Sequence, residues 1–210
     1  MNKDVGELEI ESPESSDVDD LQAAFTEDLA LSLLKQTNLR PEIIARISKN
    51  SALMKSRKLK LAVVAHPKTP RHLLLPILRH LFTFDLMRVA LMPTIAADIK
   101  IAAEESLINR LEKLSLGEKL SLARRASGRV AAALLNEPEP RVIHAALQNA
   151  RLTEAAIIKA VTRREANHIL VEAIFNHPKW KLRPEIIVAL KEENMSTDGA
   201  REQASTVPKD

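Results

Sequence analysis

The 210-residue sequence contains no cysteine and no tyrosine, and it has one tryptophan and four phenylalanines. Without cysteine, disulfides, thiolate nucleophiles and zinc sites with cysteine ligands are excluded. Aromatic residues make up 2% of the chain, whereas β-sandwiches and barrels use many aromatic and β-branched residues. There are only four glycines, and doubly wound α/β folds need more glycine at their turns. The composition therefore predicts an all-α protein.

Long apolar runs are also missing. No stretch approaches the roughly 18 consecutive apolar residues that indicate a membrane span. The N-terminus is acidic and has neither the basic n-region nor the apolar h-region of a Sec signal peptide. From these two features we expect a cytoplasmic protein.

Motifs that carry chemistry are equally scarce. The sequence has no glycine-rich phosphate loop and no Gly-x-Ser-x-Gly elbow, and its six histidines form no metal-ligand spacing. Glu104 and Glu105 are adjacent on a predicted helix, so they point about 100° apart and do not converge as a general acid and base. We therefore predict a non-enzymatic protein with no catalytic residue, no metal and no cofactor.

Charge is distributed unevenly along the chain. Residues 1–34 hold ten acids and one base, for a net charge of −9, whereas residues 35–210 have a net charge of +12. Residues 1–18 and 194–210 are polar and lack a hydrophobic period, which predicts two disordered tails. Between them, residues 19–193 are predicted to form the folded domain.

Apolar residues in this central part recur with helical spacing, as in the stripe from Leu74 to Leu81. Prolines separate most stripes, but Pro76 lies inside one and is expected to kink or split that helix. About twelve short helices are predicted, at residues 18–36, 40–49, 56–65, 70–82, 84–91, 95–113, 116–125, 128–135, 139–149, 153–163, 166–176 and 183–193.

Internal repetition is the most informative pattern. The hexapeptide at residues 39–44 recurs identically at 182–187, and the tripeptide His-Pro-Lys at 66–68 recurs at 177–179. If the two matches span five and four helix pairs, both give a unit of about 28 residues. Residues 147–154 echo the same turn without its proline. Such a period predicts an α-solenoid, in which stacked hairpins bury the apolar stripes that one hairpin leaves exposed.

The turn Ala65-His66-Pro67-Lys68-Thr69-Pro70, followed by Leu73-Leu74, and the related Asn176-His177-Pro178 resemble bacterial α-solenoids of the HEAT-like and leucine-rich-repeat-variant kind. The resemblance covers about residues 20–193, and residues 116–135 are also similar to bacterial repeat proteins. It implies an α-solenoid of about six helix-turn-helix repeats with a scaffold role and no catalytic residues. The equivalent turn positions of His66 and His177 indicate a structural role for both histidines.

Two short basic groups supply the candidate binding residues: Lys55, Arg57, Lys58 and Lys60 in the first, and Arg124, Arg125, Ser127 and Arg129 in the second. Ser127 is placed to cap a helix that begins at Gly128, whose free N–H groups would attract a phosphate or carboxylate. Two structural alternatives stay open: the first group forms a solvated face, and the arginines of the second pair with acids on neighbouring repeats.

Three functional interpretations follow. The first is a scaffold that binds a protein or peptide partner on an extended helical surface. The second is binding of duplex nucleic acid through phosphate contacts, since the body is basic but has few aromatics for stacking on single strands. The third is a degenerate HEAT-like DNA-repair enzyme, which the scarcity of aromatics disfavours. Trp180, which lies in a predicted turn, is interpreted as a packing anchor.

Overall fold

A computed structural model describes residues 26–163 and 168–192 of the chain. The tails predicted at residues 1–18 and 194–210 lie outside these ranges, as does the first part of the predicted helix 18–36. Within the described ranges all regular secondary structure is helical, which confirms the all-α prediction.

The α-helices are α1 (Glu27–Leu34), α2 (Pro41–Lys49), α3 (Arg57–Ala65), α4 (Arg71–Arg79), α5 (Thr83–Leu91), α6 (Ala97–Ile108), α7 (Leu116–Arg125), α8 (Gly128–Leu134), α9 (Pro140–Leu147), α10 (Glu154–Val161), α11 (His168–Asn176) and α12 (184–192). Single 3-10 turns occur at Leu53–Lys55, Leu111–Lys113 and Trp180–Leu182.

Most helices start in one of two ways: a side chain caps a free N–H group of the first turn, or a proline, which has no N–H group, occupies the first position. Five caps are side-chain oxygens that accept the backbone N–H three residues further along the chain: Thr26, Ser56, Ser115, Ser127 and Thr153. Helices α2 and α9 instead begin with Pro41 and Pro140, which have no N–H to satisfy. These local signals explain why the predicted starts from α2 onwards agree with the structure to within a few residues, whereas α1 begins at Glu27 and not at residue 18.

Two predicted helices differ from the structure. The segment predicted as one helix at 95–113 is divided, because α6 ends at Ile108 and a 3-10 turn follows. At this end the N–H of Asn109 donates to the carbonyl oxygen of Glu105, and the chain then turns. Of the two effects expected of Pro76, a kink or a split, the split does not occur, since α4 continues through this proline to Arg79.

The described residues form two compact units that divide between Ile77 and Leu78, inside α4. In the first unit α1 contacts α3, and the apolar core includes Ala30, Ile44, Leu59 and Val63. These four side chains are fully buried, so the unit has a hydrophobic core of its own.

In the second unit, helices that lie two apart in the sequence contact each other. Helix α6 contacts α8 and α8 contacts α10; likewise α7 contacts α9 and α9 contacts α11. Helix α8 also contacts both α7 and α9. The even-numbered helices α6, α8 and α10 thus form one row, and the odd-numbered helices α7, α9 and α11 form another.

Polar side chains in the turns connect the ends of helices that lie two apart in the sequence. The amide of Asn149, which is 2% exposed, donates to the carbonyl oxygens of Ala123 and Ala126 at 2.8 and 3.1 Å. The Arg110 guanidinium similarly donates to the carbonyl oxygens of Leu81 and Arg79 at 2.7 and 2.8 Å. Since the last carbonyls of a helix lack a partner within the helix, these bonds satisfy groups that the turns would otherwise bury unpaired.

Trp180 makes a third connection of this kind. Its indole is 2% exposed, and Nε1 donates to the carbonyl oxygen of Leu147 at 2.8 Å. The ammonium group of Lys179 lies 3.9 Å from the centre of the indole ring, a cation–π contact. The prediction that Trp180 is a packing anchor is confirmed.

Four turns share one contact, in which a side-chain acceptor takes the N–H two residues further along the chain. The acceptors are Asn50, His66, Asn149 and His177, with distances of 3.1, 3.2, 2.8 and 3.2 Å. In His66 the acceptor is Nδ1, so Nε2 carries the proton, and it lies 3.0 Å from the carbonyl oxygen of Gln36. The structural role predicted for His66 and His177 is therefore confirmed.

Candidate functional site

The start of α8 is the centre of the second predicted basic group. The Ser127 hydroxyl oxygen accepts the N–H of Val130 at 3.5 Å, so the predicted cap is present. Gly128 lies against the backbone of the turn after α9, and a Cβ at this position would collide with the carbonyl oxygen of Arg151. One side of this helix start is therefore covered by a backbone oxygen.

The three arginines of this group have different surroundings. The guanidinium of Arg129 is 3.0 Å from a carboxylate oxygen of Glu105 and 3.9 Å from one of Glu104, both on α6. This is the pairing with acids of a neighbouring helix that the sequence left open. Arg124 and Arg125 are exposed at the end of α7, and neither has an ion-pair partner within the described ranges.

The first predicted basic group lies in the other unit, around the start of α3. The Ser56 hydroxyl accepts the N–H of Leu59 at 3.4 Å and donates to the Glu27 carboxylate at 2.7 Å. Lys55, Arg57 and Lys58 are exposed, whereas Lys60 is half-buried. Helix α3 has no acidic residue in its first turn, so these cations add to the partial positive charge of a helix N-terminus.

A groove of about 540 Å³ runs along α8 and α10 in the second unit. Its lining residues are Ile108, Gly128, Arg129, Ala132, Ala133, Asn136, Thr153, Ala156, Lys159, Ala160 and Arg163. Four of them are alanines, two on each helix. Because alanine side chains are short, they allow the backbone of a bound segment to approach the helices closely.

The charged side chains of the groove are all cationic. Arg129, Lys159 and Arg163 line it, and no carboxylate does so among its described lining residues. Arg129 is held by Glu105, but Lys159 and Arg163 are exposed and have no ion-pair partner in the described part of the chain. The groove therefore offers an apolar floor with uncompensated positive charge at its edge.

Of the eight predicted site residues, only Arg129 lines this groove. Lys159, Arg163 and Asn136 do not belong to a dense basic run, so the sequence pattern did not indicate them. A usable signal was present on α10, since Ala156 and Ala160 are four residues apart. This spacing places the two alanines on one side of the helix, but it does not reveal that α8 lies alongside.

Glu154 and Glu185 form a carboxyl pair at the first turns of α10 and α12. One oxygen of Glu154 is shielded from solvent and accepts no hydrogen bond. Local desolvation and the adjacent Glu185 carboxyl raise the pKa of Glu154, while Arg183 and Lys179 oppose this shift. A backbone N–H and the contact with Glu154 lower the pKa of Glu185. Glu154 is therefore the carboxyl of the pair that takes up a proton first as the pH falls.

Two further properties concern the described ranges as a whole. They hold no group of three or more His, Asp or Glu side chains arranged to bind a metal ion. None of their helices combines the length and the apolar character of a membrane span.

Comparison of the chain with protein-family models, with curated proteins and with solved structures finds no match.

Proposed function

We propose that this chain is a non-enzymatic scaffold that binds a segment of a partner protein in the groove along α8 and α10. The proposal includes the α-solenoid of about six repeats and the HEAT-like resemblance inferred from the sequence, together with a cytoplasmic location. Its support is the chain's own periodicity and the arrangement of helices in the second unit.

The observation that carries the proposal is the row of helices α6, α8 and α10. Each helix buries one side against its neighbours, as Val130, Ala131 and Leu134 of α8 do. The opposite side of α8 and the adjoining side of α10 then form a groove that no described residue fills. Repeat proteins use such continuous surfaces to bind extended partners.

A photo-crosslinking residue at Ala133, which lines the groove, tests the proposal in living cells. We expect a covalent adduct with another protein that persists after nuclease treatment. Ala156→Phe, which places a ring in the groove, should abolish the adduct. Ala155→Phe is the matched control, because Ala155 is the preceding residue of α10, is exposed and does not line the groove.

Circular dichroism of both phenylalanine variants verifies that the helices are retained. The absence of any protein adduct from position 133 would contradict the proposal. So would an adduct that survives Ala156→Phe, because the captured protein would then bind elsewhere.

Duplex nucleic acid is the second candidate ligand, and the start of α3 is the observation that favours it. Helix N-termini normally attract acidic residues, yet this one carries Arg57 and Lys58, with Lys55 just before it. Exposed cations around a helix N-terminus are suited to contacts with phosphates.

The salt dependence of duplex binding tests this second candidate. Replacing Lys55 and Lys58 with glutamine should reduce the slope of log K against log salt by about two, one for each lost phosphate contact. A double replacement of Lys35 and Lys49, which are exposed in the same unit, serves as the charge-matched control. Equal slopes for both double variants would eliminate this site.

A further inference from the structure

We infer that the α8–α10 groove recognises an acidic peptide segment that carries at least two carboxylates. This inference rests on the proposed function and specifies the chemistry of the partner. It follows from three features of the groove: its free cations, its alanine floor and the ion pair at its edge.

The free cations define the charge of the occupant. Lys159 lies on α10 and Arg163 lies two residues beyond its end, and both side chains line the same groove. Both are exposed and without an ion-pair partner among the described residues. Two carboxylates on a bound peptide would pair with both cations, and complementary charge of this kind gives specificity and register.

The ion pair at the edge shows that the groove's cations accept carboxylates. Arg129 binds the Glu105 carboxylate at 3.0 Å, although both side chains remain about half exposed. An exposed pair of this kind is weak, so a peptide carboxylate competes with Glu105 for the guanidinium. In the free protein Glu105 therefore lowers the affinity of the groove for an acidic partner.

The alanine floor of the groove and the acidic residues at its edge favour a polypeptide ligand over a nucleic acid. Ala132, Ala133, Ala156 and Ala160 provide apolar surface for side chains between the partner's acids. Duplex DNA would bring a dense row of phosphates toward Glu104 and Glu105 on α6, which costs electrostatic energy. A peptide places its few charges only where the cations are.

Selection from a phage-displayed library of random peptides of about 12 residues tests the inference without assuming a sequence. Peptides selected on the purified full-length chain should be enriched in Asp and Glu, with at least two acids in each peptide. Fluorescence anisotropy of a labelled selected peptide then measures affinity. Lys159→Glu and Arg163→Glu should each weaken binding about tenfold or more, because an attraction becomes a repulsion.

Two further variants separate the groove from the net charge. Arg141→Glu makes the same charge change at an exposed position of α9 outside the groove, and it should alter affinity by less than about twofold. Glu105→Gln removes the internal competitor, so it should strengthen binding about two- to threefold. If Glu105 only stabilised the fold, its replacement would not increase the affinity for the peptide.

Enrichment of neutral or basic peptides, no enrichment, or equal losses for the Lys159 and Arg141 variants would overturn the inference. A 20-base-pair duplex that displaces the peptide and depends on Lys159 and Arg163 would assign the groove to nucleic acid. If acidic peptides bind as described but position 133 captures no protein in cells, the groove chemistry stands and the proposed scaffold function fails. If a protein is captured there but the selected peptides are not acidic, only the present inference fails.

Discussion

Helices α7 and α8 both start with a serine cap followed closely by glycine, yet the two starts lie in different surroundings. At α7, Ser115 and Glu118 satisfy each other's backbone N–H groups, and a Cβ on Gly117 would meet nothing within 4 Å. At α8, Ser127 caps the helix alone, and the backbone of Arg151 lies directly against Gly128. The same local sequence therefore gives one start open to solvent and one covered by another turn.

The difference shows what a helix-start signal leaves undetermined. The sequence predicts the cap of α8 and its attraction for an anion, but the turn that covers it comes more than twenty residues later. Asn149 holds this turn in place through the carbonyl oxygens of Ala123 and Ala126. An anion-binding interpretation of a helix N-terminus therefore needs the tertiary neighbours, which the local sequence does not contain.

The two glycines provide the largest expected contrast. Gly128→Ala places a methyl group against a backbone carbonyl, so the turn or the helix must move, and we expect a loss of about 3 kcal/mol in unfolding free energy. Gly117→Ala has open space and reduces the flexibility of the unfolded chain, so it should stabilise by about 0.5–1 kcal/mol. Urea denaturation of both variants measures the contrast, and a neutral Gly128→Ala would show that the turn does not press on α8.

Removing the residue that anchors the covering turn should have the next largest effect. Asn149→Ala leaves the carbonyls of Ala123 and Ala126 and the N–H of Arg151 without their partner, at a cost of about 2 kcal/mol. Asn149→Asp retains the acceptor for Arg151 but turns a carboxylate oxygen toward the two carbonyl oxygens, so it should cost at least as much as Asn149→Ala. Thermal unfolding checks both variants; an Asn149→Asp variant as stable as the wild type would contradict the assigned donor role.

The features of this fold that the sequence predicts are those set by interactions between residues close together in the chain. Caps, prolines and apolar spacing act over a few residues, and they located α7 at residues 116–125, as the structure has it. The end of α6 was missed because an apolar stripe continues through Leu111 and Leu114, and nothing local indicates that the chain turns at Asn109. The groove was missed because Lys159 and Arg129 are thirty residues apart in the sequence, and only the packing of α10 beside α8 places them in one surface.

The caps themselves should differ in their response to pH. Hydrogen bonds from the Ser115 hydroxyl and backbone N–H hold the pKa of Glu118 below its ordinary value. The folded state thus binds this proton less tightly than the unfolded state, so the contribution is present above about pH 4.5 and is lost as the pH falls. Ser115→Ala should therefore destabilise more at pH 7 than at pH 3.

At α8 the cap joins two neutral groups, the Ser127 hydroxyl and the N–H of Val130. Ser127→Ala should cost about 1 kcal/mol at both pH values. Urea denaturation at pH 7 and pH 3 compares the two serine variants, each against the wild type at the same pH. Parallel behaviour of the two would mean that Glu118 adds nothing to its cap.

The smallest expected effects concern the arginines near α8. Arg129→Ala breaks the pair with Glu105, whose partners are about half exposed, so the loss should be about 0.5 kcal/mol. Arg124→Ala combined with Arg125→Ala removes two exposed cations that have no ion-pair partner in the described ranges, and it should change stability by less than Arg129→Ala. Adding about 1 M salt shortens the Debye length to about 3 Å and should remove most of the Arg129 effect. The double variant could instead lose more stability than Arg129→Ala, with a loss that persists in salt. That result would mean that Arg124 and Arg125 stabilise the fold through packing of their aliphatic stems. The contacts that cover the start of α8 would then include these stems as well as the backbone of Arg151.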